Sequence, residues 1–227
     1  MNEEQRLQVL EEKLDAIGAI ITGQGKKSRY NLDALGNKTI ARSLGTIRIK
    51  DVTLVFPTLT KADQEARLSN GTGLNGTQTM VAIPGTPEVL NEFREAYKNA
   101  LDYALKQGTL PQNFNAKDPS QNPFIDNIDQ WISKISGDTT RFYNELAGKK
   151  LLRNAKVRLD GDRPTVLLDS NGEPLSDQDR VLNFSKAEIV ITFAAYNNMG
   201  KMGIGRYVQG VRITDAGSST GPSSLFF

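Results

Sequence analysis

The sequence lacks most of the side chains with which enzymes carry out covalent or proton-transfer chemistry. Its 227 residues include no cysteine and no histidine. Thiol nucleophiles, imidazole bases, disulfides and the usual zinc ligand sets are therefore excluded. The remaining options are carboxylate, hydroxyl and amine groups, which need close and defined pairing to be catalytic.

One pair of carboxylates is closely spaced. Asp160 and Asp162 flank Gly161, and on a strand two acids at this spacing share a face on which a hard cation can bind. In a loop the same Asp-Gly-Asp run is a common turn. No EF-hand spacing, Walker motif, G-x-S-x-G elbow or G-x-G-x-x-G fingerprint after a strand is present. We therefore expect a protein that is not an enzyme and that has no cofactor and no resident metal.

The distribution of charge points to phosphate binding instead. Net charge is only +2, but residues 1–15 are predominantly acidic, whereas residues 26–50 and 149–163 are predominantly basic. If the basic segments converge on one face, they form an electropositive surface for a polyanion.

Residues 187–213 combine basic and aromatic side chains on a predicted β-hairpin. Apolar residues alternate from Ile189 to Ala195, as on the buried face of a strand, and the turn residues that follow predict a loop longer than two residues. The return limb carries three bases and no acid, and Tyr196 and Tyr207 flank the turn. Such a ribbon is typical of a platform for a nucleic-acid strand; the alternative is an ordinary hairpin with solvated charges.

The elements that would position these side chains follow from hydrophobic periodicity. Residues 46–56 predict a strand. Its apolar side chains occupy odd-numbered positions up to Ile49 and even-numbered positions from Val52, and this switch near Lys50 and Asp51 indicates a β-bulge. Residues 77–83 predict a second strand. Residues 86–107 predict a helix that is capped by Thr86.

Shorter segments are expected to connect these elements. Residues 60–76 are interpreted as a mobile polar loop, and residues 131–147 as a short helix broken at Gly137. Residues 165–168 predict a short strand, and residues 169–172 a turn. Short strands with one long inserted helix favour a small twisted barrel or an α+β sheet.

The two ends of the chain are predicted to lie outside this barrel. Residues 1–22 predict an amphipathic helix and residues 23–44 a basic linker, which is either a flexible connector or an arm along phosphates. The helix has a heptad-like seam, formed by Leu7, Leu10, Leu14, Ile17 and Ile21. The seam either docks on its own domain or joins two copies. Residues 215–227 predict a flexible tail.

No apolar run is long enough to span a membrane, and the first residues are too charged for a signal peptide. We therefore expect neither a membrane segment nor secretion.

Several motifs, taken in order, resemble those of phage-encoded single-stranded DNA-binding proteins of the helix-destabilising, OB-fold type. They are Arg158-Leu159-Asp160-Gly161-Asp162, Asn183-Phe184-Ser185, Ala195-Tyr196-Asn197, Lys201-Met202-Gly203 and Val208-Gln209, preceded by strands that end at Pro57 and at Ile83-Pro84. The matching order covers residues 44–213.

The resemblance implies a mainly β fold with inserted helices, an OB-fold-like barrel at residues 45–214 that contains the helix 86–107. It also implies sequence-tolerant coating of single-stranded DNA during phage DNA replication and recombination, in the cytoplasm of the infected host cell. Related proteins end in an acidic tail closed by phenylalanine, which recruits replication proteins. This chain keeps Phe226 and Phe227, with Asp215 as the one acid of its tail.

On this interpretation a groove would contact DNA through two sets of side chains. The phosphate contacts are expected to be Arg48, Lys50, Arg153, Lys156, Arg158, Lys201, Arg206 and Arg212, and the base-stacking residues Phe56, Tyr196 and Tyr207. Strand parity supports part of this assignment, because Arg48 and Lys50 alternate with Ile47 and Ile49. By the same rule Tyr196 points away from the side of Phe193.

Two other functions stay open. A virion or assembly structural β-protein would oligomerise through the N-terminal helix and the tail; the heptad seam favours it, and the basic hairpin argues against it. A binder of duplex DNA or RNA would use similar phosphate contacts, so the sequence does not separate it from the first hypothesis.

Overall fold

The structure is a computed structural model that describes residues 45–69, 78–118, 121–135, 139–160, 164–198 and 201–217. The predicted N-terminal helix with its seam, the linker, and the phenylalanines of the tail lie outside these residues. The elements, in chain order, are β1 (Thr46–Val55), α1 (Lys61–Ser69), β2 (Gln78–Pro84), α2 (Pro87–Lys106), α3 (Ile128–Ile132), α4 (Thr140–Leu146), β3 (Lys149–Lys156), β4 (Val166–Leu168), β5 (Lys186–Asn198) and β6 (Lys201–Asp215).

Five of these strands close into a barrel. They are hydrogen-bonded in the order β3-β2-β1-β5-β6, and a parallel pairing of Lys156 with Tyr207 joins β6 back to β3. All the other barrel pairings are antiparallel, and the short β4 adds to β6 in parallel. This closed five-stranded arrangement is OB-fold-like and confirms the predicted fold class.

β1 bends where its sequence predicts. Its register against β5 shifts between Ile49 and Val52, and Asp51 between them has a φ of 56°. The parity switch at Lys50 and Asp51 is therefore a β-bulge, which turns both halves of the strand toward one core.

α2 is the helix predicted at residues 86–107. The Thr86 side chain accepts a hydrogen bond from the Val89 N–H at its first turn. Its buried face packs on the barrel, where Phe93 meets Phe193 of β5 edge to face at 4.9 Å between ring centroids.

The prediction of a loop at residues 60–76 is wrong in its first part, because residues 61–69 form α1. Thr60 and Asp63 build a capping box at its start: Thr60 Oγ1 accepts from the Asp63 N–H at 3.1 Å, and Asp63 Oδ2 accepts from the Thr60 N–H at 3.3 Å. Asp63 Oδ1 also accepts from the Val181 N–H at 3.1 Å, which ties α1 to the segment before β5. The Thr-x-x-Asp spacing was the overlooked signal. Burial raises the pKa of the Asp63 carboxyl, against the effect of the amides that donate to it.

The β5–β6 hairpin is longer and its connection shorter than expected. Pairing continues to Asn198 and Lys201, so only Met199 and Gly200 separate the strands. The prediction of a longer loop is wrong, because the asparagines before the turn belong to the ladder.

A second core cluster lies between the barrel and the short helices. Phe56, Phe142 and Phe184 are buried in it, and Trp131 packs against it. The helix predicted at residues 131–147, with a break at Gly137, is present as two short helices: α3 ends at Ile132 and α4 begins at Thr140. Within the described ranges, no helix is long and apolar enough to cross a membrane.

Candidate nucleic-acid interface

Two tyrosines share the outer face of the β5–β6 hairpin. Tyr196 is paired with Gly203 across the hairpin, and Tyr207 lies two residues beyond Gly205 on the same face of β6. A Cβ built on Gly203 would stand 3.2 Å from Tyr196 Cζ, and one built on Gly205 would stand 2.8 Å from Tyr207 Cε2. Because Gly203 and Gly205 have no side chains, the two rings can lie directly against the strands.

Lys156 of β3 connects the two rings. Its Nζ stands 5.7 Å from the ring centroid of Tyr196 and 5.6 Å from that of Tyr207. The Arg158 guanidinium stands 5.6 Å from the Tyr207 ring centroid. Both basic side chains are exposed. We call these four residues, Lys156, Arg158, Tyr196 and Tyr207, the tyrosine face.

The tyrosine face joins aromatic surface to positive charge. A cation over a tyrosine ring at an exposed site contributes only about 0.5–1 kcal/mol, so either cation can leave the ring at little cost. A nucleobase that stacks on such a ring contributes ~1–3 kcal/mol. The displaced ammonium and guanidinium groups are then available to the phosphates of the same strand.

Two more of the predicted phosphate contacts are exposed. Lys201 opens β6 on the same face as Gly203, and so extends the tyrosine face toward the hairpin tip. Lys50 lies at the bulge of β1.

Arg48 and Arg212 are instead bound to a carboxylate that the sequence reading overlooked. Glu188 is 2% exposed, and it accepts from Arg48 Nε at 2.8 Å and from Arg212 Nη2 at 2.7 Å. A buried carboxylate is stable only when charged donors satisfy it, so this triad is part of the barrel wall. The sequence does indicate this triad, because Glu188 is an acid between Ala187 and Ile189 in a strand that is otherwise predicted to be buried.

Phe56 corrects one base-stacking prediction. It is 7% exposed, and its ring packs at 5.6 Å from Phe142 and 6.2 Å from Trp131. A φ of 47° places Phe56 beyond the regular part of β1, so the alternation of that strand does not extend to it. It presents no ring face to a base, and the prediction is wrong.

Arg206 lies on the other face of β6 from Tyr207, opposite Phe193. Its Nε is buried, and no atom of the described residues accepts a hydrogen bond from it. Burial lowers the pKa of Arg206, against the effect of the nearby Tyr97 and Tyr196 hydroxyls. Arg206 is therefore not the open surface contact that the sequence predicted.

Arg153 is partly committed to its surroundings. Its Nε donates to the Phe124 carbonyl at 2.9 Å, and its Nη2 lies 3.4 Å from Asp126 Oδ2. Its side chain is 41% exposed, which leaves part of the guanidinium open to solvent.

Asp160 is the member of the Asp160–Asp162 pair that the structure describes, and it lies near a lysine. Asp160 Oδ1 lies 3.4 Å from Lys61 Nζ, which also pairs with Asp177 at 2.6 Å. Asp162 lies outside the described ranges, and no cluster of three potential metal ligands occurs within them.

No protein-family model matches the chain, and no curated protein matches it by sequence. Among solved structures, it is similar to the single-stranded DNA-binding protein from bacteriophage Enc34 in complex with ssDNA, with a TM-score of 0.52 and 13% identity over 78% of this chain and 90% of that one. A second similar structure is gp2.5, a single-stranded DNA-binding protein encoded by bacteriophage T7, with a TM-score of 0.44 and 13% identity over 78% of this chain and 95% of that one. The chain thus shares its fold with the phage Enc34 protein, and phage single-stranded DNA-binding proteins are the family that its motifs resemble.

Proposed function

We propose that this protein binds single-stranded DNA across the tyrosine face, with little dependence on base sequence. One observation carries the proposal: Lys156 Nζ stands within 5.7 Å of the ring centroids of both Tyr196 and Tyr207, on one exposed face. The shared fold adds support, because the structure of the similar phage Enc34 protein contains ssDNA.

In this proposal the tyrosines bind bases and the cations bind phosphates. Tyr196 and Tyr207 stack on unpaired bases, while Lys156, Arg158 and Lys201 contact the backbone. Stacking tolerates any sequence because every base has an aromatic face. Paired bases are already stacked within a duplex and offer only phosphates to this surface. Single strands are therefore the preferred ligand.

The wider role follows from the resemblance of the motifs. We propose that the protein coats single-stranded DNA during phage replication and recombination, in the cytoplasm of the infected host. The seam of the predicted N-terminal helix would join copies of the chain along the strand, and Phe226 and Phe227 would bind a replication protein.

A titration of the full chain with labelled oligo(dT), a matched duplex and RNA of the same sequence tests the proposal. Fluorescence polarisation at two or more salt concentrations gives the affinity and its salt dependence. We expect oligo(dT) to bind most tightly, with a slope of log K against log salt of about −0.7 for each phosphate neutralised. Equal affinity for duplex and single strand at low salt would contradict the proposal.

A further inference from the structure

A groove of about 420 Å³ lies between β2, β3 and α3 and contains no residue of the tyrosine face. Met80, Ile125 and Trp131 supply its apolar surface. Arg153, Lys134 and Asp126 supply its charges. The groove thus joins an aromatic wall to a charged rim.

Trp131 is a fixed wall of this groove. Its ring packs at 6.2 Å from Phe56 and in a T-shaped contact at 6.1 Å from Phe142, measured between centroids. These core rings hold the indole in place while part of it remains exposed. An aromatic surface that is already ordered binds a flat ligand with little further loss of entropy.

The rim of the groove carries more positive than negative charge. Arg153 and Lys134 face a single acid, Asp126, which pairs with Arg153 at 3.4 Å. A partly exposed guanidinium and a lysine on one rim are suited to an anion that offers several oxygens, as a phosphate does.

We propose that the Trp131 groove receives one nucleobase of the bound strand, with the adjoining phosphate bound by Arg153 and Lys134 on its rim. This inference rests on the proposed function and adds a second site to it. β3 carries both Lys156 of the tyrosine face and Arg153 of the groove, roughly 10 Å apart along the strand. Leu152 and Ala155, which precede them, both lie in the barrel core because the register of β3 against β2 shifts between them, so Arg153 and Lys156 lie on the outer side of the strand. A DNA strand that follows β3 therefore passes from one site to the other.

The chemistry of the groove suits a base rather than a purely apolar ligand. A base has flat apolar faces and a polar edge. Trp131 and Met80 match the faces, and the side-chain amides of Asn127 and Gln130, which also line the groove, can pair with the edge.

Trp131 is the only tryptophan of the chain, so its fluorescence reports on this groove directly. The full chain is titrated with dT oligonucleotides of increasing length while polarisation measures binding independently. We expect the shortest oligonucleotides to bind with little change in Trp131 emission, and longer ones to quench it. Photocrosslinking with bromodeoxyuridine-substituted oligonucleotides should then join DNA to Trp131 as well as to the tyrosines.

Variants separate the groove from the tyrosine face. Trp131→Leu keeps an apolar contact with the core and should weaken binding of long oligonucleotides about tenfold, with short ones unaffected. Tyr103→Leu removes a 58% exposed aromatic on α2 and serves as the matched control, with no expected change.

The possible failures are distinct. Oligonucleotides that bind tightly without changing Trp131 emission, with crosslinks confined to the tyrosines, would overturn the groove and leave the proposed function standing. Quenching of Trp131 emission is measured in the unmodified chain. The test therefore still applies if the Trp131→Leu protein does not fold. No binding of any oligonucleotide would overturn the proposed function itself.

Discussion

Lys156 and Tyr207 face each other at the one parallel contact that closes the barrel, with Nζ 5.6 Å from the ring centroid. The residues are 51 positions apart (207 − 156) in the sequence. Closure of the barrel thus creates the tyrosine face, and each of its members can be tested separately.

Truncation of the tyrosines should remove stacking and leave the charges in place. Tyr207→Ala and Tyr196→Ala should each weaken ssDNA binding by about 1–3 kcal/mol, or roughly 5- to 150-fold in Kd. The salt slope should not change, because no phosphate contact is lost. Tyr207→Phe is the control, since it keeps the ring and should bind nearly as well. A large loss with Tyr207→Phe would show that the hydroxyl, not the ring, carries the interaction.

Removal of the Lys156 charge should change the salt dependence of ssDNA binding, which the tyrosine variants should leave unchanged. Lys156→Gln should reduce the magnitude of the salt slope by about 0.7, because one fewer counterion is released from the strand. Lys98→Gln, an exposed change on α2, is the matched control for loss of one positive charge. Polarisation titrations at several salt concentrations measure both. Identical slopes for the two variants would argue against a phosphate contact by Lys156.

Gly205→Ala should displace a ring without unfolding the barrel. Its Cβ would lie 2.8 Å from Tyr207 Cε2, which is too close, but a side-chain ring can move where backbone cannot. We expect weaker ssDNA binding and nearly unchanged thermal stability. In a Tyr207→Ala background the same change should have no further effect on binding, which a double-mutant cycle measures. Additive losses would mean that Gly205 acts independently of the ring.

Glu188 should matter for stability rather than for binding. Glu188→Ala leaves Arg48 and Arg212 without their shared carboxylate. The two arginines are partly exposed, with 18% and 41% of their side chains accessible, so water can solvate them and the expected loss is about 1–2 kcal/mol, below the value for a fully buried pair. Urea unfolding measures this change in the free energy of unfolding. Glu173→Ala, an exposed acid, is the control and should have little effect. Equal stability of the two variants would mean that the Glu188 triad contributes nothing net to the barrel.

Deletion of residues 1–22 tests the proposed association through the heptad seam. The seam buries apolar surface only if it meets another surface, so its removal should lower the mass in solution if it joins two copies. Light scattering on the full and shortened chains gives both masses. An unchanged mass would remove the seam as an interface, while ssDNA binding by the barrel should persist in the shortened chain.

Local patterns in the sequence determined the elements that depend on residues close to one another in the chain. Thr86 and the apolar stripe after it predicted α2, and the parity switch at Lys50 and Asp51 predicted the bulge. The alternation from Ile189 predicted the buried face of β5. Each of these depends on backbone geometry and hydrogen bonds within a few residues, which a sequence shows directly.

The tertiary structure alone decided which distant side chains meet. The list of basic residues did not distinguish Lys156, beside two tyrosines, from Arg48, bound to the buried Glu188. Nor did the strand pattern show that Phe56 turns into the core. Barrel closure, burial and ion pairing join residues far apart in the chain, and the free energy of each contact depends on surroundings that only the folded chain provides.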